Sequence, residues 1–209
     1  MNPVIMHIWG PLSIHIYGTC IAIGIILGLW LLHNDKKVSS IISPNDASNL
    51  VTLMIVSGYL GGRILYMITD HNTTGDFAFL VQFWQPGLSI MGCIIAIAIT
   101  TIAFLHSKKI PMLQLMDRLA VYSPLVQSFG RLGCFFTGCC YGIATNVWWS
   151  VTYSHPDNMA PLCTPLHPTQ LYSSLLLFGV FIYLYRYGQY IFKKQGSVLI
   201  QYLILVSTE

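Results

Sequence analysis

Charge is what this chain lacks. Of its 209 residues only 8% are Asp, Glu, Lys or Arg, against roughly 25% in soluble domains. Hydrophobic residues make up 55%, and the mean hydropathy is +0.64. A protein of this size cannot cover a water-facing surface with so few charges, so the chain reads as an integral membrane protein. The net charge of +3 comes without a basic run, which argues against a nucleic-acid partner. Heptads, long repeats and paired Cys-x-x-Cys motifs are also missing. The first thirteen residues carry no Lys or Arg, and no small-residue cleavage site follows. The first apolar run is therefore expected to be a retained span, not a cleaved signal peptide.

The runs that are present are long. A helix needs about 20 mostly apolar residues to cross a hydrocarbon core. Stretches 14–32, 49–68, 88–105 and 171–187 meet or approach that length. Stretch 113–136 has the length but contains Asp117, Arg118, Gln127 and Arg131. Basic residues then alternate between loops. Lys36 and Lys37 follow the first run, Lys108 and Lys109 the third, and Arg186, Lys193 and Lys194 the last. The intervening loops, including 143–170, have none. This alternation requires 113–136 to cross as well and puts the N-terminus outside. Residues 197–207 form a further apolar run, only about half a crossing long at 1.5 Å per residue. A chain shorter than the protein it derives from is the favoured explanation. The predicted fold is an all-α integral membrane protein, a polytopic bundle of five full transmembrane helices plus a partial sixth. It forms a single transmembrane domain over 1–209, with 137–167 as the outer loop.

Two arginines stand out against this background. Arg63 in "GGRILY" and Arg131 in "FGRLGC" each follow a glycine and lie near the outer ends of their spans. Each can snorkel to outer lipid phosphates. Each can also form an anion site, because a guanidinium fork matches a phosphate bidentately. The dense glycines around Arg131 are more than snorkelling requires, since they let a ligand or helix approach closely.

Six cysteines raise metal and redox chemistry. The spacing Cys134-x4-Cys139-Cys140 is a poor match to zinc pairs and to thiol oxidoreductases. Packing is the reading this spacing favours. A structural disulfide, with Cys163 as one partner, and redox or metal chemistry stand behind it. In the outer loop, Trp148, Trp149 and Tyr153 suit an interfacial belt, and His155 in "SHPDN" suits a turn. "HPTQLY" opens the last full span, with Pro168 in its first turn and Thr169 and Gln170 able to serve exposed amides. His167 is either an interfacial cap or a proton acceptor near neutral pH. His15 and Tyr17 fall at the outer end of the first span, as belt or site residues. Asp117 and Arg118 lie at the inner end of the fourth and can pair locally.

Taken in order, "SIHIYG" (13–18), "GGRILY" (61–66), "GLSIMG" (87–92), "GRLGCFFTGCCYG" (130–142) and "HPTQLY" (167–172) resemble the bacterial prolipoprotein diacylglyceryl transferases. The resemblance runs from about residue 10 to 188. It implies an inner-membrane (plasma-membrane) multi-pass enzyme whose active site faces the outer leaflet. Such an enzyme transfers the diacylglyceryl group of phosphatidylglycerol to the lipobox cysteine of a prolipoprotein signal peptide and releases glycerol phosphate. By this resemblance Arg131 binds the lipid phosphate, with Arg63, Gly130 and Gly142 as further substrate-binding positions. Tyr17 and His167 become the catalytic candidates, and Asp117, Gly133, Gln170 and Tyr172 support the site. No metal and no cofactor are implied, and the partners are membrane lipid and prolipoprotein, not nucleic acid. The chain departs from the family pattern at Met91, where many members have histidine. Cys134, Thr137 and Cys139 replace asparagines and a glutamate, and Ser173 replaces a glutamate. Members also continue past residue 209 and carry a further arginine there, in keeping with a shortened chain. An inactive or truncated homologue, a protein that only binds or moves anionic lipid, and a membrane thiol–disulfide protein are the alternatives.

Overall fold

The computed structural model describes residues 4–9, 12–69, 77–82, 85, 87–188 and 194–207. Most of them are helical. Strands β1 (Val4–Trp9) and β2 (Leu12–His15) pair antiparallel before helix α1 (Ile16–Asn34). A short α2 (Lys36–Ser39) leads to α3 (Pro44–Thr69), a 3-10 turn (Phe77–Leu80) and α4 (Ile90–Ser107). Helix α5 (Met112–Thr137) precedes a folded loop with strands β3 (Val151–Thr152) and β4 (Pro165–Leu166). Helix α6 (Thr169–Tyr183) continues into a π-helical turn (Leu184–Gly188), and α7 (Ser197–Ser207) ends the described chain.

Among the described residues three helices, α1, α3 and α4, are long and apolar enough to cross a membrane. Their outward positions carry Ile26, Trp30, Ile68, Ile94 and Ile99, all exposed. An apolar surface on that scale suits lipid and not water. Helix α5 has the length of a crossing, but Asp117, Arg118, Gln127 and Arg131 dilute its apolar content. Helix α6 reaches a crossing length only with its π turn. Two features departed from the apolar-run reading. The β1–β2 pair lies before the first helix and takes Ile14 and His15 from the start of the expected first span, and the outer loop has a core of its own. In that core Tyr153 is 1% exposed among Ala160, Leu166 and Val151. The Tyr153 hydroxyl donates to the Phe135 carbonyl at 2.9 Å, tying the loop to the end of α5.

The chain divides into two compact units, residues 1–34 with 116–209, and residues 35–115. In the second unit α3 and α4 touch backbone to backbone. A Cβ on Gly61 would stand 2.7 Å from the Gly92 carbonyl oxygen, and one on Gly92 would collide with the Gly61 carbonyl. In lipid no hydrophobic force draws helices together, so close van der Waals contact between small residues does it. The Lys108–Asp46 ion pair at 2.7 Å joins the ends of the same two helices. In the first unit α5 and α6 are pinned by Ser128 and Ser174. Each hydroxyl donates to the other's carbonyl, at 2.9 and 3.0 Å, and both residues are buried.

Among the described residues Asp117 is held by backbone amides and not by Arg118. Its two carboxylate oxygens accept from the amides of Gly196 (2.7 Å) and Leu199 (2.9 Å). Those amides belong to the first turn of α7, whose N–H groups have no partner within the helix. Asp117 is thus an N-cap supplied from another helix, and its charge also suits the positive end of the α7 dipole.

Candidate active site

The end of α5 carries the block 130–142. Its surroundings follow from three close approaches. Gly133 meets Tyr17: a Cβ there would stand 3.1 Å from the Tyr17 Cα. This brings Tyr17, on the first turn of α1, within electrostatic reach of Arg131, Cys134, Cys139 and Cys140. Gly142 meets the "HPTQLY" segment, and a side chain there would collide with Thr169 Cγ2 at 2.7 Å and His167 Cβ at 2.8 Å. The Gly142 amide donates to the His167 carbonyl at 3.0 Å. Gly130 is different, because no atom lies within 4 Å of where its Cβ would stand. The position is open at Gly130 itself, and Arg131 beside it is half-buried.

Thr169 and Gln170 do not serve the exposed amides of their own helix. Thr169 Oγ1 donates to the Cys140 carbonyl at 2.9 Å, and Gln170 Nε2 to the Cys139 carbonyl at 2.7 Å. The first turn of α6 therefore fastens the cysteine loop. Gln170, only 1% exposed, is the buried part of that clasp. The loop needs it, because Gly138 (φ +73°) and Cys140 (φ +55°) both adopt left-handed backbone. That conformation is uncommon for a residue with a Cβ and persists only when its surroundings hold it.

His167 is half-buried, and its Nδ1 lies 3.2 Å from the Tyr172 hydroxyl. Trp149 Nε1 donates to the same hydroxyl oxygen at 2.5 Å. Tyr172 thus links the loop to the histidine. His155 sits in a turn as expected, with the Asn158 amide donating to its carbonyl at 3.1 Å.

The cysteines do what their spacing did not predict. The sulfurs of Cys134, Cys139 and Cys140 all lie within 4.8 Å of one another. Hydrogen bonding with Cys134 and partial burial push the Cys139 thiol up, so it is held as a thiol at neutral pH. All six cysteines are free, Cys163 among them, and Cys163 is exposed.

Arg63 lies in the other unit and has a different environment. It is 2% exposed. Its Nη2 donates to the carbonyls of Gln82 (3.1 Å) and Gln85 (2.7 Å), and its guanidinium stacks on Phe79 at 4.3 Å and Tyr59 at 5.4 Å. The ring faces and the two carbonyl oxygens on Nη2 hold the cation away from water, while Nε and Nη1 are buried without a partner among the described residues. It clamps the segment after the 3-10 turn onto α3 and does not snorkel.

The chain is similar to known proteins over nearly its whole length. The family described as prolipoprotein diacylglyceryl transferase matches residues 3–209. The chain is 34% identical over 205 residues to the phosphatidylglycerol–prolipoprotein diacylglyceryl transferase of Clostridium tetani, covering 98% of this chain and 81% of that one. It is 34% identical over 208 residues to phosphatidylglycerol–prolipoprotein diacylglyceryl transferase 2 of Clostridium perfringens, covering 99% and 80%. The like-named protein of Parasynechococcus marenigrum is 31% identical over 196 residues, covering 90% and 69%. This chain belongs to the prolipoprotein diacylglyceryl transferase family.

Proposed function

We propose that the chain is a phosphatidylglycerol–prolipoprotein diacylglyceryl transferase acting on the lipobox cysteine of prolipoproteins. The observation that carries this reading, beyond family membership, is one end of one unit. There Gly133 lies against Tyr17, Gly142 lies against His167, and Arg131 is within electrostatic reach of Tyr17.

The reaction needs a thiolate and a leaving phosphate. The acceptor sulfur attacks the glycerol carbon that bears the phosphate ester. The carbon–oxygen bond breaks, a thioether forms, and glycerol phosphate departs with the electron pair. The Arg131 guanidinium takes the phosphodiester bidentately and holds the charge that grows on the leaving oxygen. A free thiol has a pKa near about 8.5, so at neutral pH its proton must be accepted. His167 takes that role. Donation of its Nδ1–H to Tyr172 leaves Nε2 as the acceptor, and Trp149 fixes the Tyr172 oxygen. The Tyr17 hydroxyl is the second candidate at the reacting end.

Arg63, in the other unit, is a separate substrate-binding candidate. Its Nε and Nη1 are buried without a partner among the described residues, donors that a phosphate oxygen satisfies. Asp117, Gly133, Gln170 and Tyr172 support the site. We place the enzyme in the bacterial inner membrane, with five full crossings, the N-terminus outside, a single transmembrane domain and 137–167 as the outer loop. The site then meets outer-leaflet headgroups.

The test is a mass spectrum of a lipobox peptide incubated with the purified chain and phosphatidylglycerol. A diacylglyceryl-sized gain that disappears in Arg131→Ala supports the reading. Movement of phosphatidylglycerol between leaflets without release of glycerol phosphate would favour a lipid transporter instead.

A further inference from the structure

The three thiols at the end of α5 are not needed by the transfer chemistry above. Their arrangement is nonetheless specific. Cys134 sits on the last turns of α5, while Cys139 and Cys140 follow the left-handed Gly138. Cys140 is itself left-handed and exposed. Three contacts from one segment hold this loop: Thr169 Oγ1 on the Cys140 carbonyl, Gln170 Nε2 on the Cys139 carbonyl, and the Gly142 amide on the His167 carbonyl. A fixed loop presents fixed sulfurs.

We propose that Cys134, Cys139 and Cys140 form a binding site for one thiophilic divalent cation of the zinc type. The size fits. A triangle with sides of 4.8 Å has corners about 2.8 Å from its centre, and zinc–sulfur bonds are about 2.3 Å. Each sulfur moves inward by about 0.5 Å at most. The donor set fits too, because soft thiolates select zinc-like and cuprous ions over the hard cations that prefer oxygen. Three protein ligands leave a fourth position, and the exposed Cys140 leaves it open to water.

Charge also balances. Binding one divalent cation releases three protons to solvent and leaves a complex of net charge −1. Arg131 lies three residues before Cys134 on α5, a spacing that puts the two side chains on one helix face. The guanidinium offsets the residual negative charge. The inference is independent of the transferase reading, since cation binding is measured without any acyl lipid or peptide.

The experiment titrates the purified full-length chain, kept reduced with a phosphine, with Zn2+ against a chromophoric chelator. One Zn2+ per chain is expected. The Cys139→Ser and Cys134→Ser variants should each lose about 100-fold or more in affinity, whereas Cys93→Ser and Cys163→Ser stay within about 2-fold. Substituting Cd2+ on the unaltered chain gives a second readout that needs no variant. Its thiolate charge-transfer band should reach the intensity of three sulfur ligands per bound ion. Binding of no Zn2+ by the unaltered chain would overturn the proposal. So would retained affinity in the Cys134→Ser/Cys139→Ser double variant, or a charge-transfer band worth only one sulfur.

Discussion

Arg63 and Arg131 occupy nearly interchangeable positions in the sequence, each after a glycine and each near the same end of a long apolar run. In the structure they differ in the glycine before them. A Cβ on Gly62 would meet Cys93 Sγ at 2.5 Å and Leu88 Cδ1 at 2.9 Å, because that glycine packs α3 on α4. A Cβ on Gly130 would meet nothing. Behind a packed glycine the arginine is buried and holds backbone carbonyls. Behind an open glycine Arg131 is half-buried. The same dipeptide therefore packs two helices in one unit and not in the other, and the neighbouring helix decides which.

This contrast can be broken at Arg131 first. Arg131→Ala should lower diacylglyceryl transfer by about 10²–10³-fold, the range seen when one donor to a developing anion is removed. Arg131→Lys should fall nearly as far, since a point charge lacks the fork. Full transfer by the lysine variant, read by peptide mass spectrometry, would sink the clamp.

His167 tests the same end of the molecule. His167→Asn should cost about 10²-fold or more in turnover if it accepts the thiol proton. Tyr172→Phe should cost less and move the pH profile of turnover, since it leaves the ring unoriented. A Tyr172→Phe enzyme with an unchanged profile would separate Tyr172 from the chemistry.

The scaffold side of the contrast is read by stability. Gly92→Val forces α3 and α4 apart and should cost about 1–3 kcal/mol, the usual range for overpacking. Thermal unfolding in detergent measures it. Gly130→Ala should cost far less, because its Cβ enters open space. Equal losses at the two glycines would erase the distinction.

Arg63→Met sharpens the comparison further. It abandons two loop carbonyls and should cost about 1–3 kcal/mol. If Arg63 also binds phosphate, the folded fraction should show a raised KM for phosphatidylglycerol. An unchanged KM would make Arg63 scaffold alone. The smallest effect is expected from Asp117→Ala, which removes a cap worth about 0.5–2 kcal/mol and should loosen α7 without changing KM.

Several of these features were legible in the sequence and several were not. The apolar runs landed on α1, α3, α4, α5 and α6 within a few residues, because helix length in lipid is a local property of composition. "HPTQLY" opens a helix as expected, with Pro168 at its N-cap and not in its first turn. The direction of Thr169 and Gln170 was not legible, because the cysteine carbonyls they bind are 29 and 31 residues away. The Ser128–Ser174 pair joins residues 46 positions apart, and the Asp117 cap spans 79 and 82. Tyr153 was read as belt aromatic, yet it centres a loop core with Ala160 and Leu166, and its hydroxyl reaches the Phe135 carbonyl 18 residues away.

By itself the sequence determined that this protein lives in lipid, how its helices are spaced, which block carries the arginine, and which family its motifs resemble. Hydrophobicity and span length act residue by residue, so a linear reading captures them. Only the tertiary structure decided that three poorly spaced cysteines share one point, that Arg63 is buried while Arg131 follows a glycine that no helix packs against, and that Asp117 caps a helix it precedes by some eighty residues. Those outcomes depend on distances between atoms far apart in the chain, set by where glycines let helices touch.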